Sequence, residues 1–132
     1  MKPATTRSNP NEIRIRPRVK VWFELEGQRA FCSGVCQILR AVEATGSIKE
    51  AAASIGRSYR FAWGKIKHVE QALGRSLVET RVGGSQEKRS VLTVAGQHLV
   101  IEFEALRQRL HQLMDGDFTR NLQATMDRLD HH

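Results

Sequence analysis

Basic, polar and aromatic side chains crowd into one stretch near the middle of this 132-residue sequence, between residues 57 and 68. Those that can contact a polyanion are Arg57, Ser58, Tyr59, Arg60, Phe61, Lys67 and His68. Arginine and lysine donate hydrogen bonds to base edges and phosphate oxygens, and apolar rings can contact the methyl group of thymine. These side chains can act together only if one element places them on a single exposed surface.

A helix over residues 58–73 would do this. With successive residues about 100° apart, its buried stripe consists of Ala62, Ile66, Val69 and Leu73. The opposite face carries Arg60, Gly64, Lys67 and Gln71, flanked by Phe61 and His68. Gly64 costs about 1 kcal/mol of helix stability relative to alanine, which suggests that the backbone approaches a partner there. For a lone helix, a solvated basic face with an incidental glycine is the simpler interpretation.

The residues before this helix favour the binding interpretation. Ser47 and Glu50 have the spacing of a capping box, and Ala51-Ala52 allows a second helix to pack closely. Gly56 can take a positive φ in a sharp turn, and Ser58 can cap the next helix. Together these residues predict a helix-turn-helix unit, the arrangement that places a second helix in the major groove of DNA.

A β-hairpin is predicted directly after the second helix. Its strands are residues 77–82 and 90–94, and its loop is the glycine-rich segment 83–89. Such a hairpin is a wing, from which Arg81, Lys88 and Arg89 could contact phosphates or the minor groove. For any one of these side chains, a merely solubilising role is the alternative.

These motifs resemble the winged-helix DNA-binding domain of ModE, the family of bacterial molybdate-responsive transcription regulators. The matching elements are Gly46-Ser47-Ile48, Ser58-Tyr59-Arg60-Phe61-Ala62-Trp63, Leu77-Val78-Glu79-Thr80-Arg81, Gly83-Gly84, and Val91-Leu92-Thr93 with Gly96-Gln97. A looser similarity to LysR-type regulators covers the turn at Gly46-Ser47 and the segments around Leu73-Gly74 and Leu92-Thr93. The resemblance implies a mainly α fold with a small β component: an N-terminal strand, a three-helix core, a wing and a long C-terminal dimerisation helix.

The resemblance implies binding of double-stranded DNA but not sensing of molybdate by this chain. ModE carries a molybdate-binding module after its winged helix, and we expect that module to be absent here because 132 residues leave no room for it. The loop at Gln86-Glu87-Lys88-Arg89 also departs from the longer glycine run of the family, so contacts at the wing tip can differ.

The distribution of charge agrees with a polyanionic partner. The formal net charge is +7, and residues 57–89 hold eight Lys or Arg against three acidic residues, whereas residues from 90 onward hold four against six. The leading hypothesis is a sequence-specific regulator that binds promoter DNA. Two alternatives remain open: a nucleic-acid-binding protein of low specificity, nucleoid-type or RNA-binding, and a winged helix used for protein interaction.

The N-terminal part predicts a flexible tail over residues 1–12 and then a strand. Apolar residues occupy the odd positions from Ile13 to Leu25, with basic residues at the even positions 14–20. Pro17 cannot donate a ladder hydrogen bond, so an edge strand is expected, and pairing with the wing hairpin is possible. We place the winged-helix domain at residues 13–95.

The C-terminal part predicts a long helix from about Ala95 to Met114 and a shorter amphipathic one over residues 118–129. The long helix has an apolar stripe of Leu99, Phe103, Leu106, Leu110 and Leu113. A winged helix offers little to cover the distal end of this stripe, so a second subunit is the expected cover. Residues 96–130 are therefore predicted to mediate homodimerisation of the chain.

Other functional classes find little support in the sequence. No phosphate-binding glycine loop, metal-ligand pair or nucleophile with an adjacent base can be named, so we expect no enzymatic activity, no cofactor, no metal and no identifiable effector site. Cys32 and Cys36 could share a helix face, but two cytosolic thiols need no function. No apolar run approaches a membrane span and no signal peptide is recognisable, so a cytoplasmic protein without membrane contact is expected.

Overall fold

The computed structural model describes residues 14–84 and 87–130. The predicted tail over residues 1–12 therefore lies outside the described residues. The elements are β1 (Trp22–Leu25), β2 (Gln28–Cys32), α1 (Ser33–Thr45), α2 (Ile48–Ser54), α3 (Tyr59–Leu73), β3 (Val78–Val82), β4 (Lys88–Leu92), α4 (Val94–Leu113) and α5 (Thr119–Asp130). Residues 21–106 form one compact unit, and residues 14–20 with 107–130 belong to another.

The predicted N-terminal strand is much shorter than its alternating pattern suggested. Only Trp22–Leu25 is a strand, and it pairs with the neighbouring Gln28–Cys32 and not with the wing. Glu26 and Gly27 both have positive φ values, 49° and 79°, which closes a two-residue turn. Because the partner strand has only five residues, and because Pro17 has no N–H to donate, residues 14–20 form no ladder.

This hairpin also changes the setting of the two cysteines. Cys32 ends β2 and precedes the first residue of α1, whereas Cys36 lies inside α1 and is buried. The two thiols therefore do not share a helix face.

The predicted three-helix core is confirmed. Its buried apolar side chains come from α1, α2 and α3 and are joined by side chains from β2, β4 and α4. Three aromatic rings link the N-terminal hairpin to α4: Phe103 lies 5.4 Å from Phe23 and 5.3 Å from Phe31 between centroids. The small residues Ala51 and Ala52 are fully buried, which permits the close packing of α2 expected from the sequence.

The wing is confirmed as an antiparallel hairpin, with a different boundary. Val82 pairs with Lys88 and Arg81 with Arg89, and the Gly83 amide donates to the Glu87 carbonyl at 3.0 Å. The two basic residues predicted for the loop thus belong to β4, because the ladder continues almost to the turn.

The start of α4 is held closely against the start of β3. The Thr93 hydroxyl accepts from the Gly96 amide at 3.1 Å and donates to the Ser76 carbonyl at 2.6 Å. A Cβ atom on Gly96 would lie 2.4 Å from the Leu77 carbonyl oxygen, so the close approach requires glycine. This contact explains physically why a threonine and a glycine follow the wing at this spacing.

The second unit contains the end of α4 and all of α5. The predicted break at residues 115–117 is confirmed, since Gly116 leaves helical geometry with φ −89° and ψ −136°. Residues 14–20 belong to the same unit, in which the Ile15 amide donates to the Gln123 side chain at 3.3 Å. Several apolar side chains here remain exposed: Leu113 (69%), Phe118 (55%) and Leu129 (59%).

Candidate nucleic-acid interface

The helix-turn-helix geometry follows from local caps and one glycine. The Ser47 hydroxyl accepts from the Glu50 amide at 3.2 Å, and the Ser58 hydroxyl accepts from the Phe61 amide at 3.1 Å. Between the two helices, Gly56 adopts a φ of +71°. The capping box is only half formed, because the Ser47 amide lies against the Thr45 hydroxyl at 3.4 Å. Both helices therefore begin where the sequence predicted.

The outer face of α3 carries most of the predicted contact residues. Ala62, Ile66 and Val69 point into the core, as expected. The exposed residues of the predicted set on and just before α3 are Arg57, Ser58, Tyr59, Arg60, Phe61, Gly64 and His68. An added Cβ on Gly64 would meet nothing within 4 Å, so no internal contact explains this glycine. The helix thus presents a basic ridge with a bare stretch of backbone in its middle.

Aromatic rings flank that ridge on both sides and lie against cations of α3 or of the turn that precedes it. The Arg57 guanidinium lies 4.7 Å and the Lys65 ammonium 5.5 Å from the Phe61 ring centroid. On the other side, Lys67 Nζ lies 5.6 Å from the Trp63 ring. Each such contact contributes about 0.5–1 kcal/mol at an exposed site and holds the charged group near the surface of the helix.

The sequence patterns assign no contact role to Trp63 or Lys65. Trp63 is 45% exposed and lies one turn after Tyr59, on the side of α3 that faces the wing. With Lys67, these two rings line a groove of about 360 Å³ whose other side includes Thr80 of β3. The four-residue spacing of Tyr59 and Trp63 would have revealed their common face.

Lys67 is only partly available for an external contact. Its ammonium lies 3.0 Å from Glu70 Oε1, one turn along the helix. Glu70 is buried, and its second oxygen accepts from the amides of Leu77 and Val78. Nothing in the local sequence indicates this role. Burial raises the pKa of Glu70, but the Leu77 amide, the Lys67 ammonium and the Val78 amide together outweigh it and hold that pKa below its ordinary value.

The wing places its basic residues in three different settings. Arg81 pairs with Glu79 at 2.8 Å. Arg89 lies over the backbone of Gly46, where an added Cβ would come within 2.9 Å of the guanidinium carbon. Lys88 is exposed at the end of the ladder nearest the loop. The structure therefore brings Arg89 to the start of the helix-turn-helix, while Arg81 stays beside its own strand.

Other kinds of site find no support in the part of the chain that the structure describes. Within residues 14–84 and 87–130, no group of three or more His, Cys, Asp or Glu side chains is placed to hold a metal ion. None of the helices over these same residues combines the length and the apolar character needed to cross a membrane.

Comparison with known proteins agrees with this geometry. Residues 35–97 match the family described as bacterial regulatory helix-turn-helix protein, lysR family. The chain is 32% identical over 77 residues to the molybdenum-pterin-binding protein MopB of Rhodobacter capsulatus, which covers 58% of this chain and 28% of MopB. It is 33% identical over 78 residues to the DNA-binding transcriptional dual regulator ModE of Escherichia coli, covering 59% of this chain and 30% of ModE. The match thus spans less than a third of the length of these relatives. The chain therefore has a winged-helix fold whose residues 35–97 are similar to the helix-turn-helix of lysR-type regulators and to the matching segment of the ModE-type relatives.

Proposed function

We propose that this protein is a transcriptional regulator that binds specific sites in promoter DNA, with α3 in the major groove and the wing beside it. The observation that carries the proposal is the division of α3 into a buried apolar face and an outer face of basic and aromatic residues, inside the segment that matches the family. Helix-turn-helix proteins contact base edges with the N-terminal residues of this second helix. The E. coli relative is named as a DNA-binding regulator, which supports the same role here.

Within this proposal the side chains divide into two roles. Arg60 is exposed on the outer ridge of α3 and has no ion-pair partner among the described residues, so it is the strongest candidate for a base contact. Ser58 and Tyr59 anchor the start of the helix, and Arg57, Phe61 and His68 flank it. On the wing, Lys88 and Arg89 contact phosphates, which strengthens binding to all sequences alike.

A matched pair of arginine variants tests the base contact. Arg60→Ala should weaken binding to the preferred site by about 1–3 kcal/mol while changing nonspecific binding much less. Arg75→Ala is the control: Arg75 is also exposed but follows the C-terminal end of α3, about 22 Å along the helix from its start. Equal losses for the two variants would mean that only total charge matters, which is the behaviour of a low-specificity nucleic-acid-binding protein.

The preferred site is found by selecting bound fragments from the source genome. The selection is carried out with and without molybdate, because the names of the relatives refer to molybdenum. If the chain binds DNA with a normal salt dependence but enriches no sequence, it is a nucleic-acid-binding protein of low specificity. A chain that binds no DNA, with the fold intact, would fit the protein-interaction module.

We further propose that the regulator binds as a homodimer through its C-terminal helices. Leu113 and Phe118 expose large apolar surface, as does Leu129 on α5. A second copy would bury these side chains, and two copies of α3 would then read half-sites whose centres lie about 34 Å or a multiple of it apart. Light scattering should report a dimer, and Leu113→Lys should shift it towards a monomer. Val94→Lys, at a residue 68% exposed but at the other end of α4, is the control.

A further inference from the structure

One buried carboxylate connects the candidate DNA-reading helix to the wing. Glu70 lies on α3 with 9% of its surface exposed, and its Oε2 accepts from the Leu77 amide at 2.7 Å and from the Val78 amide at 3.3 Å. These two amides stand at the start of β3. The Glu70 side chain therefore supplies a charged acceptor to both amides and holds this end of the wing against α3.

The other oxygen of the same carboxylate is held by Lys67. Lys67 Nζ lies 3.0 Å from Glu70 Oε1 and 5.6 Å from the Trp63 ring centroid. Both contacts hold the ammonium on the side of α3 that faces the wing. Arg60, by contrast, pairs with no acidic side chain of the described residues and is exposed. Arg60 and Lys67, which the sequence pattern places on the same outer face of the helix, therefore stand in different environments.

The carbonyl side of Leu77, the residue that directly precedes β3, is also held in place. The Leu77 carbonyl accepts from the Thr93 amide at 2.9 Å, and its oxygen faces Gly96 at the start of α4. Leu77 itself is fully buried. Its amide is thus held by α3 through Glu70, and its carbonyl by the segment that begins α4. Loss of either contact would release one side of the residue that directly precedes β3.

We infer that Glu70 and Lys67 are positioning residues that hold the wing at one angle to α3. In this arrangement Lys67 acts on DNA binding through Glu70 and not by touching DNA. The inference rests on the proposed function. Its physical consequence is that phosphate contacts of the wing and base contacts of α3 occur together only while this lock, the Lys67–Glu70–Leu77 contact, is closed. The lock would therefore affect the preference for the specific site more than affinity for DNA in general.

Hydrogen exchange in the absence of DNA tests the lock itself. In the full chain, the Leu77 and Val78 amides should exchange about five- to tenfold faster in Glu70→Gln, because a charged acceptor is replaced by a neutral one, and also faster in Lys67→Met. Lys65→Met is the matched control, since Lys65 also stacks on an aromatic ring of α3 but has no contact with Glu70. Unchanged exchange at both amides in both variants would overturn the lock, whatever the protein binds.

Binding at several salt concentrations then decides how Lys67 acts. The lock predicts that Lys67→Met and Glu70→Gln both lower the ratio of specific to nonspecific affinity, that the double variant is no worse than the poorer single one, and that the salt slope of Lys67→Met equals that of the unmodified chain. A slope reduced by about one charge in Lys67→Met, with normal binding by Glu70→Gln, would show a direct phosphate contact and overturn the inference. If the unmodified chain shows no sequence preference, the proposed function fails, and the exchange rates still decide whether the lock exists.

Discussion

Replacing Gly96 by alanine should destabilise this protein, although the same change usually stabilises a helix. The new Cβ would lie 2.4 Å from the Leu77 carbonyl oxygen, where real Cβ atoms keep at least 3.0 Å, and 3.3 Å from its carbonyl carbon. Both neighbours are backbone atoms. The carbonyl cannot turn away without stretching the 2.9 Å hydrogen bond that it accepts from the Thr93 amide, so the helix and the strand must separate.

The magnitude follows from two opposing terms. Overpacking of this kind costs about 1–3 kcal/mol. Alanine returns up to about 1 kcal/mol of helix propensity, and less near a helix end. The net loss should be about 1–2 kcal/mol, which corresponds to a melting temperature lower by about 3–10 °C in a chain of this size. Thermal and urea unfolding followed by circular dichroism measure both quantities.

Gly64→Ala is the matched control within the same chain. Gly64 lies inside α3, is exposed, and an added Cβ would have no neighbour within 4 Å. The variant should therefore gain about 0.5–1 kcal/mol of unfolding free energy. If Gly96→Ala lowers the free energy of unfolding and Gly64→Ala raises it, the close packing at Gly96 is supported. A Gly96→Ala variant as stable as the unmodified protein would refute it.

Three further predictions concern the same domain. Gly64→Ala should weaken binding to the specific site despite its higher stability, if the helix backbone approaches DNA there; unchanged affinity would leave the glycine without that role. Thr93→Val should lower the free energy of unfolding by about 1–2 kcal/mol, because the α4 cap and the bond to the Ser76 carbonyl are lost together; urea unfolding measures this loss, and a neutral result would contradict the cap. The depressed pKa of Glu70 means that its stabilising contribution is present above its ordinary pKa of 4.5 and is lost as pH falls through the lower value of the folded state. Consequently the difference in unfolding free energy between the unmodified chain and Glu70→Gln should stay constant from neutral pH to about pH 5 and shrink below pH 4.5; a difference that grows on acidification would reverse this reasoning.

Local patterns were enough to predict the helix-turn-helix. The caps at Ser47 and Ser58 and the turn at Gly56 involve contacts within four residues along the chain, so the sequence contains all the information they need. The buried and exposed faces of α3 follow from helical periodicity for the same reason. The alternating pattern near the N-terminus gave a wrong length for the strand and a wrong partner. A period of two shows which side chains share a face but not which strand lies alongside.

The sequence by itself therefore determined the class of domain, the start of each helix in the helix-turn-helix and the exposed basic face. The tertiary structure alone decided that β1 pairs with β2, that Arg89 lies over Gly46, and that Gly96 must pass close to Leu77. It also decided that Lys67 belongs to Glu70 and the base of the wing. The physical reason is that these contacts join segments far apart along the chain. A charge on an exposed helix face looks the same in the sequence whether its partner is solvent, DNA or a buried carboxylate. Only the packing of distant backbone segments makes that carboxylate a partner.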